Sequence, residues 1–362
     1  MISRDGSATW GVETFPALSQ GTVACFRDAL PSLQTHVEHA LRLHLSPSSV
    51  RVLRSDGFRF LIDQQAHFGR TLAAVYAFGL HEALADDMVW MANCLKSRGL
   101  DAEALRQMLT FWIIALQGTV CTSFVHELIP PLEWAASHSS RFFSMPFPSS
   151  SSASPEAVAF TDALFENRND DAVRILKSFD RSAFPDAALE GLVFPALAEI
   201  GQRWCENRIS VADEHLATAN SRRAVLSWLD GFKRKPDSKA AVSVACVPGD
   251  EHALISEMLA RYLAIHGWRV FYLGQSMPEQ DLIRAVEANR SECLFLTLSL
   301  VGFLPALQQL FLQLHRRLPE CRTYVRTGLH RVEPALARLC DGMAGSFDAC
   351  HRLLTQKGAV HA

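Results

Sequence analysis

Four short apolar runs near the C-terminal end constrain this chain most: AVSVACV (241–247), RVFYLG (269–274), CLFLTLSL (293–300) and TYVRTG (323–328). Continuous rather than alternating hydrophobicity at strand length means burial on both faces, the mark of a parallel sheet covered by helices. Parallel neighbours need a crossover between them. ISEMLARYLAIHG (255–267), PEQDLIRAVEAN (278–289) and LPALQQLFLQLHRRL (304–318) carry the helical period that supplies it. Residues 239–358 are therefore expected to form a doubly wound, Rossmann-like α/β domain, with its ligand at the carboxyl ends of the strands.

The rest of the chain reads as helix. At 362 residues there is material for several cores. HFGRTLAAVYAFGLHEALADDMVWMANCLKSRGL (67–100) repeats apolar residues at three and four, Gly99 supplies a stop, and Asp101 is placed to cap the next helix. Residues 1–138 are thus expected to be an all-helical domain of globin-like character. SHSSRFFSMPFPSSSSASPE (137–156) breaks the pattern and predicts a Ser/Pro linker over 139–155, with Phe142, Phe143 and Phe147 docking part of it on a neighbouring surface. Residues 156–235 carry four helical stretches with short connections, as in an antiparallel four-helix bundle. KRKPDSK (233–239) closes it.

Composition excludes several classes of function. Hydrophobic residues make up 49% and charged residues 20%, which is compact material rather than disorder. A net charge of −3 leaves no basic footprint, and no basic helix-turn-helix precedes the linker, so direct nucleic-acid binding is not expected. No window reaches membrane-spanning length and no signal-type apolar region opens the chain, so a cytoplasmic protein without membrane contact is expected. Nine cysteines lie scattered with no CxxC spacing. They read as small reduced core residues rather than a zinc site or a disulfide framework.

The first strand runs into VPGDEHALISEML. Pro248 and Gly249 turn the chain, and Asp250 and His252 stand at the strand's carboxyl edge before a helix. A histidine in such a loop is ordinarily structural; an Asp two residues earlier alters that. A carboxylate on one imidazole nitrogen fixes the tautomer and raises the basicity of the other, as a metal ligand requires. Asp250-Glu251-His252 resembles the Asp-x-His core of cobalamin-binding domains of methionine synthase, base-off mutases and light-sensing regulators. The resemblance extends to Ser299 in LTLSLVG and to Thr327-Gly328 in VRTGLH. It departs at Ile255, where the family has Gly, and in keeping one glycine of a pair. It implies that His252 ligates cobalt from below, base-off, with Asp250 behind it and Ser299, Thr327 and Gly328 lining the channel for the displaced nucleotide tail. Ile255 narrows that channel.

RWCENRISVADEHLATA (203–219) places Glu214-His215 ten residues beyond Trp204. One reading is a core tryptophan and a solvated turn. The other comes from resemblance to the cap of adenosylcobalamin photoreceptors of the CarH type, which implies that Trp204 shelters the upper ligand and that Glu214 and His215 contact it. A broad indole face suits an adenosyl group, and a carboxylate suits ribose hydroxyls. Where those photoreceptors carry a histidine after the tryptophan, this chain has Cys205. That leaves a thiolate, a water or another histidine for the upper face once the adenosyl group is gone.

The N-terminal helices resemble those of photocobilins, which hold biliverdin in a globin-like domain beside cobalamin. His67, Arg70, Tyr76, His81 and Trp90 are of the type that a linear tetrapyrrole needs, and equally of the type found on ordinary helices. Cys94, in mid-helix, reads as packing rather than a thioether anchor. The resemblances imply a non-enzymatic light sensor that binds adenosylcobalamin, with biliverdin as a second chromophore, acting through homo-oligomerisation or a downstream regulatory protein. A corrinoid methyl carrier and a cobalamin-binding antirepressor are the alternatives.

Overall fold

The structure, a computed structural model, describes residues 15, 18–44, 56–146, 154–179, 184–235 and 240–357. The chain divides into two compact units: residues 2–149 with 205–208, and residues 150–204 with 209–362.

Among its described residues the first unit has six helices: α1 (Gln20–His44), α2 (Asp56–Phe78), α3 (His81–Ser97), α4 (Ala102–Thr119), α5 (Thr122–Ser137) and α6 (Ser139–Ser144). Local chemistry sets their ends. Gly99 at φ +78° ends α3, a conformation that favours glycine. Asp101 then accepts the Ala104 N–H at 3.1 Å and starts α4. Phe26, Leu33, Phe68, Leu72, Trp112 and Leu128 are buried between them. Gly69 is required by close approach: a Cβ there would lie 2.7 Å from Trp112 Cη2. Helix α6 shortens the expected linker. Phe142 is fully buried against Trp134, ring centroids 5.8 Å apart, and this anchor holds 139–144 helical despite the serines. Phe143 is half-buried, and Phe147 lies outside the described residues.

The second unit opens with helices α7 (Pro155–Phe165), α8 (Asn169–Phe179), α9 (Asp186–Ala188), a π turn (Leu189–Val193), α10 (Phe194–Cys205) and α11 (Val211–Asp230). The sheet follows as β1 (Ala241–Cys246), α12 (Ala253–Ile265), β2 (Arg269–Gly274), α13 (Glu279–Ala288), β3 (Cys293–Leu298), α14 (Leu304–Arg317), β4 (Arg322–Thr327), α15 (Glu333–Leu339), β5 (Gly342–Ala344) and α16 (Phe347–Lys357). All pairings are parallel, in the order β2-β1-β3-β4-β5. The chain reverses direction across the sheet between β1 and β3, which is where an open α/β sheet leaves its ligand crevice. Strands β1 and β3 are buried along their whole length.

The stretches 156–235 and 239–358 share a single core. Phe160, Leu192, Phe194 and Trp228 from the helices join Tyr262, Phe295, Tyr324 and Phe347 from the α/β part. Polar ties reinforce it. Tyr262 donates its hydroxyl to Asp186 at 2.6 Å. Buried Glu257 on α12 accepts from Arg222 of α11 at 2.7 Å and from Arg261 at 3.3 Å. Among the described residues no helix is long and apolar enough to cross a membrane.

Candidate functional site

The turn after β1 is built to aim one imidazole. Gly249 takes φ +84°, and the Asp250 N–H returns to the Val247 carbonyl at 2.9 Å, swinging Asp250 back under the strand end. Asp250 is 1% exposed. Each of its oxygens takes two donors. Oδ1 accepts the His252 backbone N–H at 3.0 Å and lies 2.8 Å from His252 Nδ1. Oδ2 accepts the Ser299 N–H at 3.0 Å and the Ser299 hydroxyl at 2.7 Å. Ser299 Oγ is also 2.9 Å from His252 Nδ1.

The electrostatics follow from these contacts. Burial works against ionisation of Asp250, but the hydrogen bonds from His252 and Ser299 outweigh it and hold the carboxyl below its ordinary value. An ionised carboxylate only accepts, so Nδ1 carries the proton and the His252 Nε2 lone pair is free to point outward. The bond to Asp250 raises the pKa of His252 against the opposing effect of burial, and the charges of Asp250, Glu214 and Glu251 add to the rise. The His252 side chain is 60% exposed while its Asp250 support is buried. The result is a rigid base with an accessible outer nitrogen.

Ser299 therefore fixes both Asp250 and His252. Thr327 is buried and ties the end of β4: its hydroxyl donates to the Leu298 carbonyl at 2.8 Å and accepts the Leu329 N–H at 3.1 Å. Gly328 follows, half-buried. Ile255 is a partly buried side chain of α12 packed against the shared core.

On the helical side, Ser210 and Asp213 form a reciprocal capping box that starts α11, so Glu214 and His215 fall in its first turn. Trp204 is half-buried near the end of α10. Glu214 accepts the Thr218 hydroxyl at 2.9 Å, and its charge contributes at His252, so cap and sheet edge meet electrostatically. His215 is 74% exposed, with Nδ1 2.9 Å from the Val211 carbonyl.

Residues 157–226 match a family model described as the B12 binding domain. That stretch holds Trp204, Glu214 and His215. The HTH-type transcriptional repressor CarH of Myxococcus xanthus is 34% identical over 118 residues, 33% of this chain and 38% of that protein. The chain thus spans under two fifths of that relative's length. Two solved structures are similar in part. The monomethylamine corrinoid protein of Methanosarcina barkeri is 12% identical with a TM-score of 0.43, covering 54% of this chain and 94% of that one. A cobalamin-binding protein from Desulfitobacterium hafniense DCB-2 is 18% identical with a TM-score of 0.30, covering 54% and 96%.

Two expectations need correction. Cys205 is not placed as a free thiol at an upper face. It is 1% exposed, disulfide-bonded to Cys94, and its carbonyl accepts from Ser97 at 2.7 Å and Arg98 at 2.8 Å. Neither cysteine is therefore the reduced packing residue that the sequence indicated. The five candidate bilin residues do not line one slot. His67 faces Trp90, ring centroids 6.2 Å apart, with Nε2 3.4 Å from Asp87. Tyr76, nine residues further along α2, falls on the opposite side of the helix at 100° per residue. Its hydroxyl donates to the Leu128 carbonyl at 2.6 Å. His81 packs edge-on to Phe15, and Arg70 is exposed.

Proposed function

We propose that this protein is a cobalamin-dependent light sensor with no catalytic chemistry of its own. The Asp250–His252–Ser299 cluster carries the reading. A bare metal ion calls for three or four protein donors, and the described residues hold no such group. A metal already held by a macrocycle would need only one further donor, which a buttressed imidazole with an accessible Nε2 suits. His252 would hold cobalt, Asp250 and Ser299 would keep its ring and tautomer fixed, and Thr327 and Gly328 would border the nucleotide tail. The B12 binding domain match over 157–226 supports the same ligand from the helical side.

Trp204, Glu214 and His215 would cover the other face. The half-buried indole supplies a flat apolar surface for an adenosyl group, and the Glu214 carboxylate accepts hydrogen bonds from ribose hydroxyls. When bound, adenosylcobalamin supplies a cobalt–carbon bond that visible light breaks. Without that group Trp204 and Glu214 would lose a packing partner, and α10 and α11 would repack, altering self-association or the grip on a regulatory protein. The similarity to a transcriptional repressor supports regulation over catalysis.

Reconstitution in the dark with adenosylcobalamin, followed by green light, tests this through absorbance and oligomeric size together. A spectral change with a change in size or partner binding is expected. If light moves neither, the sensor reading fails. Transfer of a methyl group from bound methylcobalamin to an added thiol would favour the methyl carrier instead.

A further inference from the structure

Asp250, Glu257 and Arg326 are the buried carboxylate and guanidinium side chains among the described residues. Asp250 and Glu257 are held by the partners already given. Arg326, 5% exposed on β4, is not: its Nε and Nη2 have no hydrogen-bond partner. Its flat faces are well served, with Cζ 5.2 Å from the Phe194 ring centroid and 5.5 Å from that of Phe347. Aromatic rings satisfy the face of a guanidinium but leave its N–H edge needing oxygen acceptors. The charges around it do not meet that need. Glu190 is exposed and acts on Arg326 through space, and burial pushes the Cys350 thiol up to about 12, so it stays neutral. A buried donor edge left without acceptors calls for an explanation, because native interiors pair such groups.

Its position supplies one. Arg326 pairs in register with Thr297 of β3, and the next residue, Thr327, pairs with Leu298, which directly precedes Ser299. Arg326 therefore sits two residues, about 7 Å, along the strand from the level at which Ser299 holds Asp250 and His252. Successive strand residues point to opposite faces, so Arg326 leaves the sheet on the side away from Thr327, toward Phe194 of α10.

We propose that Arg326 is a ligand anchor: its N–H edge receives an oxygen acceptor of a corrinoid seated at the sheet edge. The inference rests on the cobalamin reading above. Two oxygens share the required chemistry, a peripheral amide carbonyl of the corrin and the phosphodiester of the nucleotide tail. Charge-assisted bonds to either explain why a cation is kept where an apolar side chain would pack with less cost to the empty protein.

The test uses the full chain and the variants Arg326→Met and Arg326→Lys, with cobalamin and with cobinamide, which lacks the nucleotide phosphodiester. Thermal unfolding of the ligand-free protein is read first, then dark binding by absorbance. Arg326→Met is expected to unfold at a midpoint equal to or above that of the wild type, and to bind cobalamin at least tenfold more weakly. An equal loss for cobinamide assigns the acceptor to the corrin amides; a loss confined to cobalamin assigns it to the phosphodiester. Arg326→Lys keeps the charge without the fork and is expected to fall between, which keeps the test open if the methionine variant does not fold. Unchanged affinity for both corrinoids, or a lowered midpoint with unchanged affinity, makes Arg326 structural and overturns the proposal. Wild-type protein that takes up neither corrinoid overturns the binding reading itself and the anchor with it.

Discussion

Replacing Asp250 with Asn changes charge without changing shape, and the outcome follows from the contacts. The carboxylate serves four donors: the His252 N–H and Nδ1–H on one oxygen, and the Ser299 N–H and hydroxyl on the other. An amide offers one oxygen and one NH2. If the oxygen stays toward His252, the NH2 meets the Ser299 N–H, donor against donor, while the Ser299 hydroxyl turns to accept. If the amide flips, the NH2 meets the His252 N–H, and Nδ1 becomes an acceptor. The proton then moves to Nε2 and blocks the nitrogen that would bind cobalt. Either arrangement strands a backbone donor and removes bonds to a charged acceptor, each worth roughly 1.5–3 kcal/mol. Loss of a carboxylate behind a metal-binding imidazole typically costs about 10–100-fold in metal affinity. Asp250→Asn is therefore expected to weaken dark binding of cobalamin by about 10–100-fold, measured by absorbance titration. Affinity within a factor of about two of wild type, in a folded variant, would refute this account of how His252 is held.

Three further outcomes are expected. His252 is held above its ordinary value, chiefly by its bond to Asp250. The protonated ring therefore stabilises the ligand-free fold fully below the ordinary histidine pKa of about 6.5, and that contribution fades as pH rises through the folded value. Cobalt needs the neutral ring, so cobalamin affinity should rise with pH through that range; a flat profile would contradict the ligand assignment. Gly249→Ala forces a Cβ onto φ +84° and should cost the C-terminal unit about 1–2 kcal/mol in urea unfolding, whereas no loss would remove the turn from the account. Thiol titration of the denatured, unreduced protein should find seven free thiols, with nine after reduction; nine before reduction would dissolve the Cys94–Cys205 pair.

The apolar runs made four strands legible, because burial on both faces leaves an unbroken signature in β1 and β3. Strand β5 escaped because three residues, Gly342–Ala344, are too short for any period. Asp250, His252 and Ser299 were readable as a motif, but the double duty of Ser299 depends on a register that only the folded sheet brings about. Cys94 and Cys205 stand 111 residues apart, a separation that carries no pairing signal. The bilin candidates were chosen by residue type; the helical face, which separates Tyr76 from His67, decides what can share a slot. Arg326 did leave a trace, as a charge inside a run that should be buried throughout.

The ligand role of His252 is tested most directly by electron paramagnetic resonance of the protein reconstituted with cob(II)alamin, with nitrogen-15 introduced only into histidine. A histidine on cobalt is expected to turn the three-line nitrogen splitting into two lines, and the His252→Ala variant should lose the two-line pattern. A three-line pattern retained in the labelled wild-type protein would mean that the nucleotide base, and not His252, holds the metal.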